Sequence, residues 1–317
     1  MKVLLTEPIH PNGVKLLKDV ADVVQAPAAD HDSIQKAIAD CDAVLIRSAK
    51  ITADIIESAP KLKCIAKHGI GVDNIDIPTA SSKGIKVVNA PFSNLNAVAE
   101  HTLSLVLSML KEIPQLDSQI RAGNYVSARK GATLGELSGK TVCFIGIGRI
   151  AQRVLELLAP FRCDVHAYDP FAPDTLFSQL GIQRETTLDA LLPLADVLLI
   201  HVPLTPETKG LINEKTLAQM KPTAMVVNTA RGGIVDEAAL LNALRGGELG
   251  AAATDVFEAE PPKADTPIIN NTKVVLSPHC AALTAEALEA MATQSAAGVC
   301  SVLRNETPEF FVNRDAF

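Results

Sequence analysis

Short apolar runs that end in turn or polar residues alternate along the chain with longer amphipathic stretches. In the first third the runs are KVLLTEP (2 to 8), ADVVQAP (21 to 27), CDAVLIRS (41 to 48), CIAKHG (64 to 69) and KVVNAP (86 to 91). Runs this short and continuous suit strands buried on both faces, and the stretches between them suit helices, so the pattern predicts βα units around a parallel sheet. After Pro91 the rhythm changes. Residues 94 to 112, NLNAVAEHTLSLVLSMLKE, are apolar on most helical faces, which predicts a buried connecting helix. A polar segment from about Gln115 to Lys140 follows, and then a second βα series opens with TVCFIGIG (141 to 148). Its further strands are expected in CDVHAYD (163 to 169), ADVLLIHVP (195 to 203), AMVVNTAR (224 to 231), LGAAATDVF (249 to 257) and TKVVLSPH (272 to 279). The last helical run, Thr284 to Leu303, has no following core of its own and is expected to pack back on the first sheet, which makes the first domain discontinuous. The expected division is 1–97 with 285–317 as one domain and 98–284 as the other.

Composition narrows the class. A chain of 317 residues exceeds the usual size of a single core. A hydrophobic content of 48% with a charged content of 21% describes an ordinary globular protein. The formal charge of −7 argues against a nucleic-acid or anionic-membrane partner, which needs a net basic face. No stretch reaches the length of a membrane span and no signal pattern opens the chain, so a cytoplasmic location is expected. The six cysteines (Cys41, Cys64, Cys143, Cys163, Cys280, Cys300) lack CxxC or zinc spacing and read as free thiols in a reducing compartment, with no metal expected.

Chemistry gathers where the expected strands end. Gly146-Ile147-Gly148-Arg149-Ile150-Ala151 fits GxGxx(G/A), with a strand before it, an amphipathic helix after it, and Asp169 closing the next strand. Gly146 allows the tight turn, Gly148 lets the backbone approach a pyrophosphate, and Ala151 keeps the helix close to the sheet. Asp169 accepts hydrogen bonds from an adenosine ribose and repels a 2′-phosphate, which predicts NAD over NADP. Three further residues share the same edge: Arg231 ends one strand in MVVNTARGG, Glu260 follows the next in TDVFEAEPP, and His279 ends the last in VVLSPH. An arginine offers a planar fork for a substrate carboxylate, a histidine titrates near the working pH, and a glutamate hydrogen-bonded to that histidine fixes its tautomer. The set predicts reduction of an α-keto acid and oxidation of an α-hydroxy acid. His201, at another strand end, is a candidate for the cofactor pocket and His68 for the substrate site, whereas His101 reads as structural.

With these residues assembled, the chain resembles the NAD-dependent D-2-hydroxyacid dehydrogenase family along its length. The segments that carry the resemblance are GIGVDNID (69 to 76), VAEHTLSLVL (98 to 107), FIGIGRIAQRV (144 to 154), HVPLTPET (201 to 208), VNTARGGIVDEAAL (227 to 240), DVFEAEP (255 to 261) and SPH (277 to 279). The resemblance implies a Rossmann NAD domain inserted in a discontinuous, flavodoxin-like substrate domain, a cleft that closes on substrate, and a homodimer. It implies the catalytic set Arg231, Glu260 and His279. It also implies cofactor contacts at Gly146, Gly148, Arg149, Ile150, Asp169, His201, Val202, Pro203, Thr229, Ala230, Asp255 (at the carboxamide), His279 and Ala281. The likeness is greatest to members that oxidise 3-phosphoglycerate, in a short form without C-terminal regulatory domains. For these it implies a substrate site built from Arg47, Ser48, Lys67, His68, Gly69 and Arg231, with Arg129 supplied from the partner subunit. Departures from the family pattern are His68 where a small residue is common, Lys67 where arginine is more familiar, Ala281-Ala282 in place of a glycine-rich stretch, and Ala151 for the third glycine. Rival expectations are a hydroxypyruvate or glyoxylate reductase, a dehydrogenase for another anionic hydroxy acid such as sulfolactate, and an NAD-sensing corepressor of the same fold.

Overall fold

The computed structural model describes all of residues 1–317, and the chain divides into two compact units, Met1–Asn94 with Ala282–Phe317, and Leu95–Ala281. Each break falls three residues ahead of the expected position, at Asn94 rather than 97 and at Ala281 rather than 284.

In the first unit the strands are β1 (Lys2–Leu5), β2 (Asp22–Gln25), β3 (Ala43–Ile46), β4 (Cys64–Lys67) and β5 (Lys86–Val88), all parallel in the order β2-β1-β3-β4-β5. Alternate side chains of a strand point to opposite faces, so each strand feeds two cores. Val3, Leu5, Ala43, Leu45, Cys64 and Ala66 meet Ala296, Val299 and Leu303 of the helix Ala285–Leu303. Leu4, Val44, Ile46 and Ile65 meet Ile34, Ile38, Ile55 and Ile56 on the other side. The C-terminal helix therefore completes this unit's core. Its contact with the helix Pro11–Lys18 is close enough that a Cβ on Gly13 would lie 2.7 Å from the Ala292 carbonyl oxygen.

The second unit holds β6 (Thr141–Ile145), β7 (Asp164–Tyr168), β8 (Gln183–Arg184), β9 (Val197–Ile200), β10 (Met225–Asn228), β11 (Ala251–Thr254) and β12 (Val274–Leu276). They form one parallel sheet, β12-β11-β10-β9-β6-β7-β8, the doubly wound dinucleotide-binding order with a strand added. The strand order reverses between β6 and β9, so the crevice at their C-terminal ends is the expected ligand position. The connecting helix Leu95–Leu110 packs Leu105, Val106, Met109 and Leu110 into the same core as Ala151, Val154 and Leu158 of the helix Arg149–Leu158.

Three details differ from the sequence reading. The polar segment after residue 115 is helical in part, with helices Ile113–Arg121 and Tyr125–Gly131 that bury no residue. The two-residue β8 has no apolar run to announce it. Strands β10 and β12 stop at Asn228 and Leu276, so Arg231 and His279 sit in loops rather than on strands. All six cysteines carry free thiols, and no helix is long and apolar enough to cross a membrane.

Candidate active site

The dinucleotide turn follows β6. Gly146 has a φ of 85°, and a Cβ there would lie 2.7 Å from the His201 carbonyl oxygen, so the ends of β6 and β9 cross at a distance only glycine permits. Around Gly148 the opposite holds. A Cβ would meet nothing within 4 Å, and Gly148 caps the helix Arg149–Leu158 without any side-chain hydrogen bond. The first backbone amides of that helix thus border open space, a cradle suited to phosphate charge. Asp169, just past β7, accepts from the Ile147 amide (3.0 Å) and the Phe171 amide (2.9 Å), which fixes its carboxylate against the glycine turn. These residues fit a dinucleotide: the turn at Gly148 would hold its pyrophosphate and Asp169 its ribose hydroxyls. His201 follows β9, its ring stacked on Phe144 with centroids 5.9 Å apart, and its Nε2 is buried without a partner. Burial pushes this imidazole down to about 4, so it is neutral.

Arg231, Glu260 and His279 come together at the C-terminal ends of β10, β11 and β12. Asn228 turns the first loop: its Nδ2 donates to the Arg231 carbonyl (2.8 Å) and its Oδ1 accepts from the Ala230 amide (3.0 Å). Thr229, beside it, shares a buried hydroxyl contact of 2.9 Å with Thr102 of the connecting helix. Gly232 then passes directly against the second loop, where a Cβ would lie 1.7 Å from the Phe257 carbonyl oxygen. The same two loops exchange hydrogen bonds. The Glu237 amide donates to Glu258 (2.9 Å) and the Glu258 amide to Glu237 (2.8 Å).

Glu260 accepts from the Phe257 amide at 3.1 Å and meets His279 Nδ1 at 2.7 Å. Burial works to raise the Glu260 pKa, but the hydrogen bonds from His279 and Phe257 and the charges of His279 and Arg231 outweigh it and hold the group below its ordinary value. Glu260 is therefore a carboxylate, an acceptor only, which makes His279 Nδ1 the donor and leaves Nε2 as the reactive nitrogen.

His279 sits in the left-handed region at φ 51°, uncommon for a side chain of its size. Asp255 holds it there. Its carbonyl oxygen accepts from the His279 amide (2.7 Å), and its carboxylate accepts from Ser277 Oγ (2.6 Å), the Cys280 amide (2.9 Å) and the Ala281 amide (3.0 Å). His101 Nε2 adds a contact to Ser277 Oγ at 2.9 Å. Burial would raise the Asp255 pKa, yet His101, Ser277 and the two amides together bring it to about 2. Asp255 is thus the clamp of the histidine loop, whatever it also offers a carboxamide. His101, expected to be structural, supports the same clamp. Asn228 and Ser277 carry no functional signal in the sequence, although an asparagine closing an apolar run is itself a turn signal.

The remaining candidates are distributed. Arg149, Ile150, Val202, Pro203, Ala230 and Ala281 lie along the sheet edge that carries the glycine turn and the histidine loop. Arg47, Ser48, Lys67, His68 and Gly69 are in the first unit, after β3 and β4, whereas Arg129 is exposed on the helix Tyr125–Gly131. Lys67 Nζ donates to the Arg47 carbonyl and to Asn74 Oδ1 (3.1 Å), so two of its three donors serve the loop itself. His68 is buried with its Nε2 unpartnered; burial, and then the charge of Arg47, push its imidazole down to about 4.

Comparison with known proteins places the chain in a family. A family model described as D-isomer specific 2-hydroxyacid dehydrogenase, NAD binding domain, matches residues 103–281. The chain is 41% identical, over 99% of its length, to D-3-phosphoglycerate dehydrogenase of Methanocaldococcus jannaschii, of which it covers 59%. The chain thus spans little more than half the length of the curated relatives it matches. Among solved structures, a Thermus thermophilus protein superposes with a TM-score of 0.90 at 29% identity, covering 98% of this chain and 100% of that one. An NADPH-dependent glyoxylate/hydroxypyruvate reductase from Sinorhizobium meliloti superposes with a TM-score of 0.88 at 27% identity, covering 98% and 97%.

Proposed function

Because the chain belongs to the D-isomer specific 2-hydroxyacid dehydrogenase family, we propose that it catalyses reversible, NAD-linked oxidation of a D-2-hydroxy acid, with 3-phosphoglycerate as the substrate and 3-phosphohydroxypyruvate as the product. The observation that carries this reading is the His279 Nδ1 contact with the Glu260 carboxylate at 2.7 Å, on the sheet edge that also bears Arg231 and the glycine turn. Arg231 binds the substrate carboxylate through its guanidinium fork. His279 Nε2 takes the proton of the C2 hydroxyl during oxidation and returns it during reduction. Glu260 stabilises the protonated imidazole and keeps its ring in the orientation that presents Nε2. When bound, the nicotinamide supplies the hydride acceptor and donor for C2.

Asp169 supports NAD over NADP, because a 2′-phosphate beside its carboxylate would meet like charge. Arg47 and Arg129 are the cations proposed for the substrate phosphate. A second reading has its own support: Lys67 gives two of its donors to Arg47 and Asn74, which leaves fewer N–H groups for a dianion and suits a smaller acid such as glyoxylate or hydroxypyruvate. The apolar residues exposed on Ile113–Arg121 and Tyr125–Gly131 support a homodimer in which a second copy covers them, with Arg129 one turn beyond Tyr125 on the second of these helices. Six free thiols suit the cytoplasm.

The test is NADH formation with 3-phosphoglycerate, D-glycerate, D-lactate and sulfolactate, with Arg129→Ala and His279→Ala alongside. Selective turnover of 3-phosphoglycerate that falls in Arg129→Ala is the expected result. Equal turnover of an unphosphorylated acid, indifferent to Arg129, would favour the second reading. His279→Ala should lose on the order of 10²–10⁴ in turnover while NADH binding persists. An unchanged rate in that variant would exclude the assigned proton transfer, and no turnover in any form would point to a sensor of NAD.

A further inference from the structure

A polar assembly gathers at the C-terminal edge of the five-stranded sheet. The strand order of this sheet reverses between β1 and β3, so the loops after those two strands border its crevice. Glu7, just past β1, reaches across to the loop after β3. Its Oε1 accepts from the Ser48 amide (2.6 Å), the Ala49 amide (3.2 Å) and Ser48 Oγ (2.5 Å). Its Oε2 accepts from the Arg47 amide (3.0 Å) and from the Thr6 hydroxyl. Three successive backbone amides turned toward one anion form a nest, and here the occupant is the chain's own carboxylate.

The loop's carbonyl side is held as well. Arg47 O accepts from Lys67 Nζ, Ala49 O from Asn74 Nδ2 (2.6 Å), and the Arg47 guanidinium donates to the Pro8 carbonyl at 3.0 Å. Residues 47–49 are thus gripped from both sides, with Glu7 supplying every acceptor on one of them. Partial burial opposes the charge on Glu7, yet the hydrogen bonds from Ser48, Thr6 and the Arg47 amide bring its pKa to about 2, so it is ionised at any physiological pH. Two consequences follow for a ligand. The amides of 47–49 and the Ser48 hydroxyl proton are already committed, so Ser48 can only accept from a ligand. An anion approaching this loop is left with the remaining guanidinium donors of Arg47.

We propose that Glu7 is the positioning residue of the substrate site: its carboxylate fills the amide nest of residues 47–49 and fixes where Arg47 and Ser48 present their side chains. The inference rests on the reading above, that Arg47 and Ser48 meet the substrate. A carboxamide would not replace Glu7, because it offers one acceptor oxygen and turns an N–H toward other donors.

The experiment compares Arg47→Ala, Glu7→Gln, Glu7→Ala and the double variant Glu7→Gln with Arg47→Ala, in the full chain with NAD present. It reads KM and kcat for 3-phosphoglycerate, NADH affinity by fluorescence, and the melting temperature. Glu7→Gln should raise KM about tenfold or more, with kcat and NADH affinity changed by no more than about twofold. The double variant should bind substrate only slightly worse than Arg47→Ala alone, by what a displaced Ser48 gives up, since most of the Glu7 effect acts through the Arg47 guanidinium. Added formate should lower the KM of Glu7→Ala toward wild type by refilling the nest, which a general loss of structure would not allow. An unchanged KM in Glu7→Gln, where Arg47→Ala raises it, would overturn the proposal, as would full additivity of the two changes. An unchanged KM in Arg47→Ala would instead remove the substrate reading beneath it, and the proposal with that reading.

Discussion

The imidazoles of His68 and His201 both lie near a pKa of about 4 instead of the ordinary 6.5, chiefly through burial. The sign of the resulting pH dependence follows from proton counting. Between these values the unfolded chain binds protons that the folded chain refuses, so stability is full above about pH 6.5 and falls as the pH drops toward 4. Each group accounts for at most about 3 kcal/mol over that window. Asp255 acts in a separate window: its pKa of about 2, against an ordinary 3.8, contributes stability that is lost only below about pH 4. Urea unfolding at pH 7.5 and pH 5 should show a large drop in the wild type and a small one in His68→Leu with His201→Phe; an equal drop in both would assign it to other groups. The reactive side chains were legible in the sequence because their chemistry is written in residue type: a guanidinium fork at Arg231, an imidazole at His279, a carboxylate at Glu260. Their holders were not. Glu7 acts on a residue 40 positions away and Asp255 on Ser277 at 22, contacts that only the closed fold creates.

At the level of elements, two loops after β10 and β11 behave as one piece. Gly232 touches the Phe257 carbonyl and Glu237 exchanges amide bonds with Glu258, so the loop bearing Arg231 and the loop bearing Glu260 share a register. Gly232→Ala must separate them. The expected outcome is a loss of about 1–3 kcal/mol in stability and a fall in turnover larger than that loss explains, measured by denaturant unfolding and kcat/KM on the same preparation. Wild-type turnover in Gly232→Ala would show that the register is not needed. Strands such as AVLI in β3 and VLLI in β9 were readable because parallel strands buried on both faces must be continuously apolar. Their ends were less so, since Asn228 diverts the chain through side-chain hydrogen bonds that no hydropathy pattern registers. The helices Ile113–Arg121 and Tyr125–Gly131 were less legible because they are short and bury no residue within this chain, although Ile113, Leu116 and Ile120 recur at helical spacing.

For the molecule as a whole, those same helices leave the large apolar side chains Ile113 (56%), Tyr125 (56%) and Val126 (64%) exposed. Under the homodimer proposal, Tyr125→Arg with Val126→Arg should shift the sedimenting species from dimer to monomer while the melting of each unit changes little. A wild-type chain that sediments as a monomer at micromolar concentration would end that proposal. The division of the first unit into two chain segments bears on synthesis. A ribosome releases the five strands of that unit early, but the helix Ala285–Leu303 that covers one face of their sheet emerges only after the entire second unit has been made. At about 5–20 residues per second, Val3, Leu5, Leu45 and Ala66 wait uncovered for on the order of ten seconds or more. During translation the nascent chain therefore presents an apolar face of the kind that chaperones recognise, although the finished protein buries it completely.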